Sequence, residues 1–241
     1  MKGDTPGLAR TVAYAVIGRV QSVAAFLANR GRSVPREYLQ YDVSKLLRAR
    51  SLAQRTRDGD DILDVGCGTG RLFRDLELFR VYGRRVGIDL HLPEITMSGV
   101  EVAAYDGERL PFPNNSFDVV IFGYVLHYLE REHVMKLLAE ASRVARRTVF
   151  VFEDSLPQWN FWYRVRNRME RLKSDILYGE TGQGRYRGSG TEQMYLTCDN
   201  WTSLLESVPG VKSVEVAPLA RFSGLVHHTL FAATLDGSSA T

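Results

Sequence analysis

The sequence feature that most constrains the fold is a glycine-rich turn directly after a short apolar run. Residues 62–72 read ILDVGCGTGRL, with Gly66, Gly68 and Gly70 alternating along the turn. Gly66 and Gly68 lack a Cβ atom, so the backbone and a ligand can approach each other closely. The first amides of the helix predicted after the turn would point at that ligand and favour a negative group. The pattern therefore predicts a strand, a turn and a helix, with a ligand site at the turn.

Short apolar runs alternate with helical patterns from residue 61 onward, which is typical of an α/β fold. Strands are predicted over residues 61–65, 85–90, 100–105, 117–123, 148–154, 211–219 and 228–235. Helices are predicted over residues 71–80, 130–145 and 200–208, the last capped by Asp199 or Asn200. This order predicts a Rossmann-like, doubly wound sheet of seven strands. It would be mostly parallel with an antiparallel edge strand, where the last two strands can pair.

Two segments do not follow this alternation. Residues 1–57 are predicted to be a helical N-terminal extension, and residues 58–241 the main domain, with an insertion over 155–198 between the fifth and sixth strands. The insertion combines aromatic residues, arginines and a glycine-rich loop, and we expect it to cover the ligand edge as a lid. Residues 8–28 plot as an amphipathic helix. Packing onto its own domain ranks first, ahead of covering the cleft, forming a dimer or contacting a membrane surface peripherally.

The composition argues against several classes of protein. The chain has 241 residues, 44% of them hydrophobic and 24% charged, and a net charge of +3, which by itself gives no argument for nucleic acid. Its two cysteines, Cys67 and Cys198, lie far apart, so a reducing, cytoplasmic compartment is expected. No apolar run reaches the ~20 residues of a membrane span. No cluster of side chains has metal-ligand spacing, and no metal is expected.

The strand after the glycine turn ends in an acid. Asp89, in GIDL, lies at its tip, where a carboxylate can accept both hydroxyls of a ribose. The turn and this acid together indicate an adenosine-type ligand. The dinucleotide pattern G-x-G-x-x-G fails because Arg71 stands where its third glycine should be. The G-x-x-x-x-G-K-[ST] motif of nucleoside triphosphate hydrolysis is absent too.

The stretches ILDVGCGTG, VGIDL and YDGERLPFPNNSFDVVIFGYVLHYLE together resemble the successive motifs of class I S-adenosylmethionine-dependent methyltransferases. The likeness is greatest to the type 11 group and covers roughly residues 40–155. It implies an enzyme with S-adenosylmethionine as cofactor and S-adenosylhomocysteine as product. One departure is RVARRTVF before the fifth strand, where the family often has a Lys-Pro-Gly-Gly turn away from the cofactor.

The resemblance also implies a set of cofactor contacts. Those lining the methionine side would be Asp64, Gly66, Cys67 and Gly68, with Gly70 opening the helix. The implied contacts with the nucleoside are made by Asp89 to the ribose, by Leu90 to the adenine ring, and by Asp106 with Gly107 to the adenine amino group. The implied contacts with the methionine ammonium are the backbone carbonyls of Phe122 and Gly123, just past the fourth strand. Each has a structural alternative: Asp106 can cap a turn, Leu90 can lie in the core, and Cys67 can simply be a small turn residue.

Methyl transfer from a sulfonium is an in-line displacement, so the enzyme mainly fixes distance and angle. A base is needed only for an acceptor that arrives protonated. His127, predicted at the start of the helix after the fourth strand, is the candidate base, with packing or capping as the alternative.

The acceptor is predicted from absences and from the insertion. No Asn/Asp-Pro-Pro-Tyr/Phe stretch follows the fourth strand, which argues against many nucleic-acid amine methyltransferases. The aromatic, arginine-bearing insertion favours a small-molecule or lipid-like acceptor, either anionic or aromatic. The alternatives are an RNA or protein methyltransferase and a cofactor-binding protein without turnover.

Overall fold

The structure is a computed structural model, and it describes residues 43–79, 81, 83–91, 100–155, 196–222 and 226–236. The amphipathic helix predicted over 8–28 and most of the lid predicted over 155–198 lie outside the described residues.

Seven strands form a single mixed sheet. They are β1 (Ile62–Val65), β2 (Arg85–Asp89), β3 (Glu101–Ala104), β4 (Phe117–Gly123), β5 (Ala145–Ser155), β6 (Val211–Phe222) and β7 (Val226–Leu235). Their order is β3-β2-β1-β4-β5-β7-β6. The first five strands are parallel, whereas β7 runs antiparallel to both β5 and β6. The predicted fold class is confirmed, with the antiparallel β6–β7 pair at one edge of the sheet.

The helices of the described part of the chain are α1 (Val43–Ala53), α2 (Arg71–Glu77), α3 (Arg131–Val144) and α4 (Cys198–Glu206). Helix α4 begins at Cys198 because the Thr197 hydroxyl accepts the backbone N–H of Asn200 at 3.2 Å. The predicted cap at Asp199 or Asn200 is therefore wrong. Helix α3 begins at Arg131, so the prediction that His127 starts it is also wrong. His127 lies in a separate 3₁₀ turn, Leu126–Tyr128, before it.

The sheet is covered on both faces, which explains why its central strands are mostly apolar. On one face α3 and α4 pack around Trp201 and Phe231, both fully buried. On the other face α2 and α1 pack through Phe73 and Leu52. Helix α1 thus shares the core although it falls in the predicted N-terminal extension, and the domain boundary at residue 57 stays a prediction.

Gly87 in β2 makes room for the glycine turn. A Cβ atom at this position would lie 2.5 Å from Sγ and 2.9 Å from Cβ of Cys67. The turn therefore rests on β2 only because Gly87 has no side chain.

Replacing Gly87 by Ala should lower the free energy of unfolding by about 1–3 kcal/mol, because the turn must move away from β2. In the Gly87→Ala/Cys67→Ala double variant part of this loss should be recovered, since the closest atom is removed. Urea unfolding of the two single variants and the double variant measures this coupling. Strict additivity within about 0.3 kcal/mol would contradict the account.

Candidate functional site

The glycine turn lies at the carboxyl edge of the sheet, where the parallel strands end. Gly66, Gly68 and Gly70 have φ values of 74°, 53° and 75°, all in the left-handed region that a side chain disfavours. The backbone N–H of Gly66 donates to the Ile88 carbonyl at 2.7 Å, which fixes the turn to β2. A Cβ atom on Gly66 would also lie 2.5 Å from a methyl of Val125, after β4. The structure has the strand, turn and helix that the sequence predicts.

Asp89 ends β2 beside this turn. Its Oδ2 accepts the backbone N–H of Gly68 at 2.8 Å, and Oδ1 lies 3.4 Å from the backbone nitrogen of His91. The carboxylate is half-buried, with one oxygen committed to the turn. The neighbouring Leu90 is half-buried as well, so it is not a core residue and can meet a ligand at this edge.

Asp64 is an acid in the interior of β1. It is 4% exposed, and burial raises its pKa from 3.8 to about 7. The Arg48 guanidinium opposes this shift, and the Asp89 carboxylate adds to it. Buried carboxyl groups whose pKa is raised in this way occur at many functional sites.

Cys67 fills the space above Gly87 within the turn. Burial, together with the negative fields of Asp64 and Asp89, raises the pKa of its thiol. A thiol whose pKa is raised stays protonated and is a poor nucleophile. These contacts support Cys67 as a small residue in a tight turn.

Phe122 and Gly123 are the last two residues of β4, so the prediction that they lie just past this strand is wrong. The Phe122 side chain is fully buried in the core, which leaves only its backbone at the carboxyl edge. At Gly123 a Cβ atom would lie 2.5 Å from Nη1 of Arg48, which comes from α1. Tyr124 follows with a φ of 62°, a conformation that is strained for a residue with a side chain.

Asp106 and Gly107 follow β3 at the same edge. Oδ1 of Asp106 accepts the backbone N–H groups of Glu108 at 2.9 Å and Arg109 at 3.1 Å, and these bonds lower the pKa of its carboxyl group. Asp106 thus caps a turn, while its exposed side chain remains open to a ligand. Gly107 is buried, and its carbonyl accepts a 2.6 Å hydrogen bond from Nε2 of His133 in α3.

His127 is 5% exposed and pairs with a carboxylate at the end of β5. Its Nδ1 lies 2.7 Å from Oε2 of Glu153, which is fully buried. Oε1 of Glu153 accepts the backbone N–H of Leu126 at 2.9 Å and of His127 at 3.3 Å. Glu153 therefore both anchors the 3₁₀ turn and orients the imidazole, so that Nδ1–H donates and Nε2 is the basic nitrogen.

A second histidine–carboxylate pair lies on the opposite face of β5. Nδ1 of His228 in β7 is 2.6 Å from Oδ1 of Asp154, and the two side chains are 23% and 14% exposed. The His228 ring meets the Tyr124 ring edge to face, with centroids 5.5 Å apart. The sequence shows each residue at the carboxyl edge but not their pairing, which follows from the antiparallel register of β5 and β7. Arg48 was missed altogether, because no motif marks it.

In the part of the chain that the structure describes, no group of three or more His, Cys, Asp or Glu side chains could hold a metal ion. None of the helices there has the length and apolar character needed to cross a membrane.

Comparison with known proteins places this geometry in a family. Residues 63–152 match the family model described as a methyltransferase domain. Over 123 residues the chain is 30% identical to the fatty-acid O-methyltransferase of Mycolicibacterium smegmatis, covering 47% of this chain and 44% of that protein. Over 101 residues it is 32% identical to the probable tRNA methyltransferase 9B of Bos taurus, covering 40% and 21%. The chain thus spans less than half of the length of either relative.

The fold comparison agrees. The crystal structure of the YcgJ protein from Bacillus subtilis superimposes with a TM-score of 0.57 at 13% identity, covering 80% of this chain and 98% of that one. This likeness concerns the fold. The predicted family and its cofactor, S-adenosylmethionine, are confirmed, and the match covers the glycine turn, Asp89 and the end of β4. Over residues 63–152 the chain therefore matches the methyltransferase domain of the type 11 group, whose members are class I S-adenosylmethionine-dependent enzymes.

Proposed function

We propose that the chain transfers a methyl group from S-adenosylmethionine to a small-molecule or lipid-like acceptor by in-line displacement. The cofactor supplies a methyl group on a sulfonium, whose departure as a thioether needs no acid. The protein's part is to hold the cofactor and the acceptor in line and to exclude water.

The residues at the carboxyl edge fit the cofactor. The Asp89 carboxylate has further lone pairs that can accept hydrogen bonds from the ribose hydroxyls. Leu90, Asp106 and Gly107 are suited to the adenine. The bare backbone of Gly66 and Gly68 and the buried acid Asp64 suit the methionine end. These roles remain proposals, supported by the left-handed turn and by the acids that surround it.

The observation that carries the choice of acceptor is a pair of aromatic rings beyond the end of β4. There the partly exposed rings of Tyr124 and His228 meet 5.5 Å apart, next to Gly123. Aromatic rings at this edge are suited to contact with a ring or an acyl chain. The relative named as a fatty-acid O-methyltransferase points to the same class of acceptor. Both cysteines are free thiols, which supports our proposal of a cytoplasmic compartment.

An RNA acceptor is the second candidate, because one relative is named as a probable tRNA methyltransferase. Binding to RNA would weaken steeply with salt, since phosphate contacts release counterions. A small-molecule enzyme would show no such dependence with its own acceptor.

The proposal is tested by incubating the protein with methyl-labelled S-adenosylmethionine and a panel of acceptors, followed by mass spectrometry. The panel holds fatty acids, phenols, quinols and total tRNA. We expect label in a phenolic, quinol or carboxylic compound, and none in tRNA at any salt concentration. Label in tRNA alone would overturn the choice of acceptor, and cofactor binding without any labelled product would favour a protein without turnover.

We propose His127 as the base for an acceptor that arrives protonated, with Glu153 orienting it. His127→Gln should then lower kcat by about 10²–10⁴-fold while the cofactor Kd stays unchanged. The matched variant is His228→Gln, which removes the imidazole of the second pair. Steady-state kinetics across pH, with the Tm of each variant, compares them. A loss confined to His228→Gln would contradict the choice of His127, and a fall in Tm without an altered pH profile would indicate a structural role.

Asp64 gives a pH dependence of stability in the absence of cofactor. Its folded pKa of about 7 exceeds its ordinary 3.8, so the folded protein holds this proton more tightly than the unfolded chain. The Asp64 proton contributes fully to the free energy of unfolding below about pH 4. This contribution, up to about 4 kcal/mol, is lost as pH rises through 7.

Asp64→Asn should therefore be more stable than wild type near pH 8, and this advantage should vanish toward pH 4. Urea unfolding across this range measures it, with Glu101→Gln, an exposed acid on β3, as the control. An advantage of Asp64→Asn that does not change with pH would show that Asp64 is already ionised in the folded protein.

A further inference from the structure

His133 in α3 forms a hydrogen bond with the loop that follows β3. Its Nε2 lies 2.6 Å from the backbone oxygen of Gly107. Because a carbonyl oxygen can only accept, Nε2 carries the proton and donates. Gly107 is buried and has a φ of 83°, in the left-handed region. The bond therefore fixes a peptide whose conformation a residue with a side chain would disfavour.

The peptide that joins Gly107 to Glu108 connects His133 to Asp106. Its carbonyl accepts from His133, and its N–H, on Glu108, donates to Oδ1 of Asp106 at 2.9 Å. This N–H is the largest of the influences that lower the pKa of the Asp106 carboxyl group. Hydrogen bonds in a chain polarise one another, so a donor at the carbonyl strengthens the N–H of the same peptide. His133 thus acts on the Asp106 carboxylate through one peptide group.

The rest of the loop is held by the same helix, through Glu140 and Arg143. Oε2 of Glu140 accepts the backbone N–H of Leu110 at 3.1 Å. Arg143 donates to the backbone oxygens of Leu110 at 3.0 Å and Phe112 at 2.8 Å. His133 extends this attachment toward the start of the loop, so α3 sets the position of the loop along much of its length.

The carboxylate of Asp106 is oriented by the loop and is accessible from outside. Its side chain is exposed, and its Oδ1 accepts the N–H groups of Glu108 and Arg109. A carboxylate held at one oxygen can direct the other oxygen at a donor in a ligand, because each oxygen has two lone pairs. An exocyclic amino group on a purine is such a donor. How well Asp106 binds it depends on the orientation of the peptide that His133 holds.

We propose that His133 is a positioning residue that sets the preference of the site for a purine with an exocyclic amino group. It fixes the peptide between Gly107 and Glu108, and this peptide orients Asp106. The inference rests on the proposed function, in which Asp106 lies at the adenine amino group of the cofactor. A merely structural role for His133 would affect stability and leave this preference unchanged.

The test combines removal of the imidazole with removal of the ligand's amino group. Calorimetry measures the Kd of S-adenosylhomocysteine and of its purine analogue, in which hydrogen replaces the amino group of the adenine. For wild type we expect the analogue to bind about 10-fold more weakly. For His133→Ala we expect S-adenosylhomocysteine to bind roughly 10-fold more weakly than to wild type, and the analogue nearly as tightly as to wild type. The two changes are then coupled, because both remove the same contact.

Three further variants separate positioning from stability. His133→Gln keeps an N–H donor on the side chain and should recover part of the preference. His133→Leu keeps much of the volume without the donor, and it takes the place of His133→Ala if that variant unfolds. Ser142→Ala is the matched control, because Ser142 also lies in α3 and its hydroxyl donates to a backbone carbonyl, that of Pro209, at 2.7 Å. It should lower the Tm and leave the preference unchanged.

Other outcomes overturn the inference. If His133→Ala weakens both ligands by the same factor, or neither, the role of His133 is structural. If His133→Gln shows no more preference than His133→Ala, the donated hydrogen bond is not the cause. If wild type binds both ligands equally tightly, Asp106 does not bind the amino group. In all of these cases wild type still binds S-adenosylhomocysteine, so the inference fails alone. If wild type binds neither ligand, the proposed function fails and the inference with it.

Discussion

The hydrogen bond from the Gly68 amide to Asp89 is the contact on which the rest of the site depends. It joins the tip of β2 to a turn whose three glycines all adopt left-handed conformations. The space for that turn is provided by Gly87 beneath it. Glycine backbone and the Asp89 carboxylate lie side by side at the carboxyl edge. Because the glycines have no side chains, this place has room for a nucleoside.

Two charged groups at the site are not paired with each other in the described structure. Asp64 is buried without a close cation, and Arg48 lies nearby without a close anion in the described structure. By contrast, Glu153 is fully buried and saturated by the 3₁₀ turn and the His127 ring. Polar groups that stabilise the fold are thus paired within the chain, whereas Asp64, which we assign to the cofactor, is left for the ligand to complete.

Local patterns predicted most of the fold. Apolar runs marked the strands, and the turn and Asp89 marked the ligand edge, because each depends on neighbours in sequence. The N-cap of α4 was misplaced because Thr197 competes with two equally suitable residues beside it. His127, Asp154 and Arg48 depend on partners far along the chain, which a helix start or a strand end does not reveal. Their pairing requires the register of β5 with β7 and the packing of α1.

The central claim is that S-adenosylmethionine binds where β1 meets α2, with its ribose on Asp89. Calorimetric titration of S-adenosylmethionine into wild type, Asp89→Ala and the exposed control Glu101→Gln tests this most directly. We expect saturable one-to-one binding to wild type and to the control. We expect a loss of at least about 10-fold in affinity for Asp89→Ala, since two charge-assisted hydrogen bonds are removed. Equal affinity for all three proteins, or no binding to wild type, would contradict this claim.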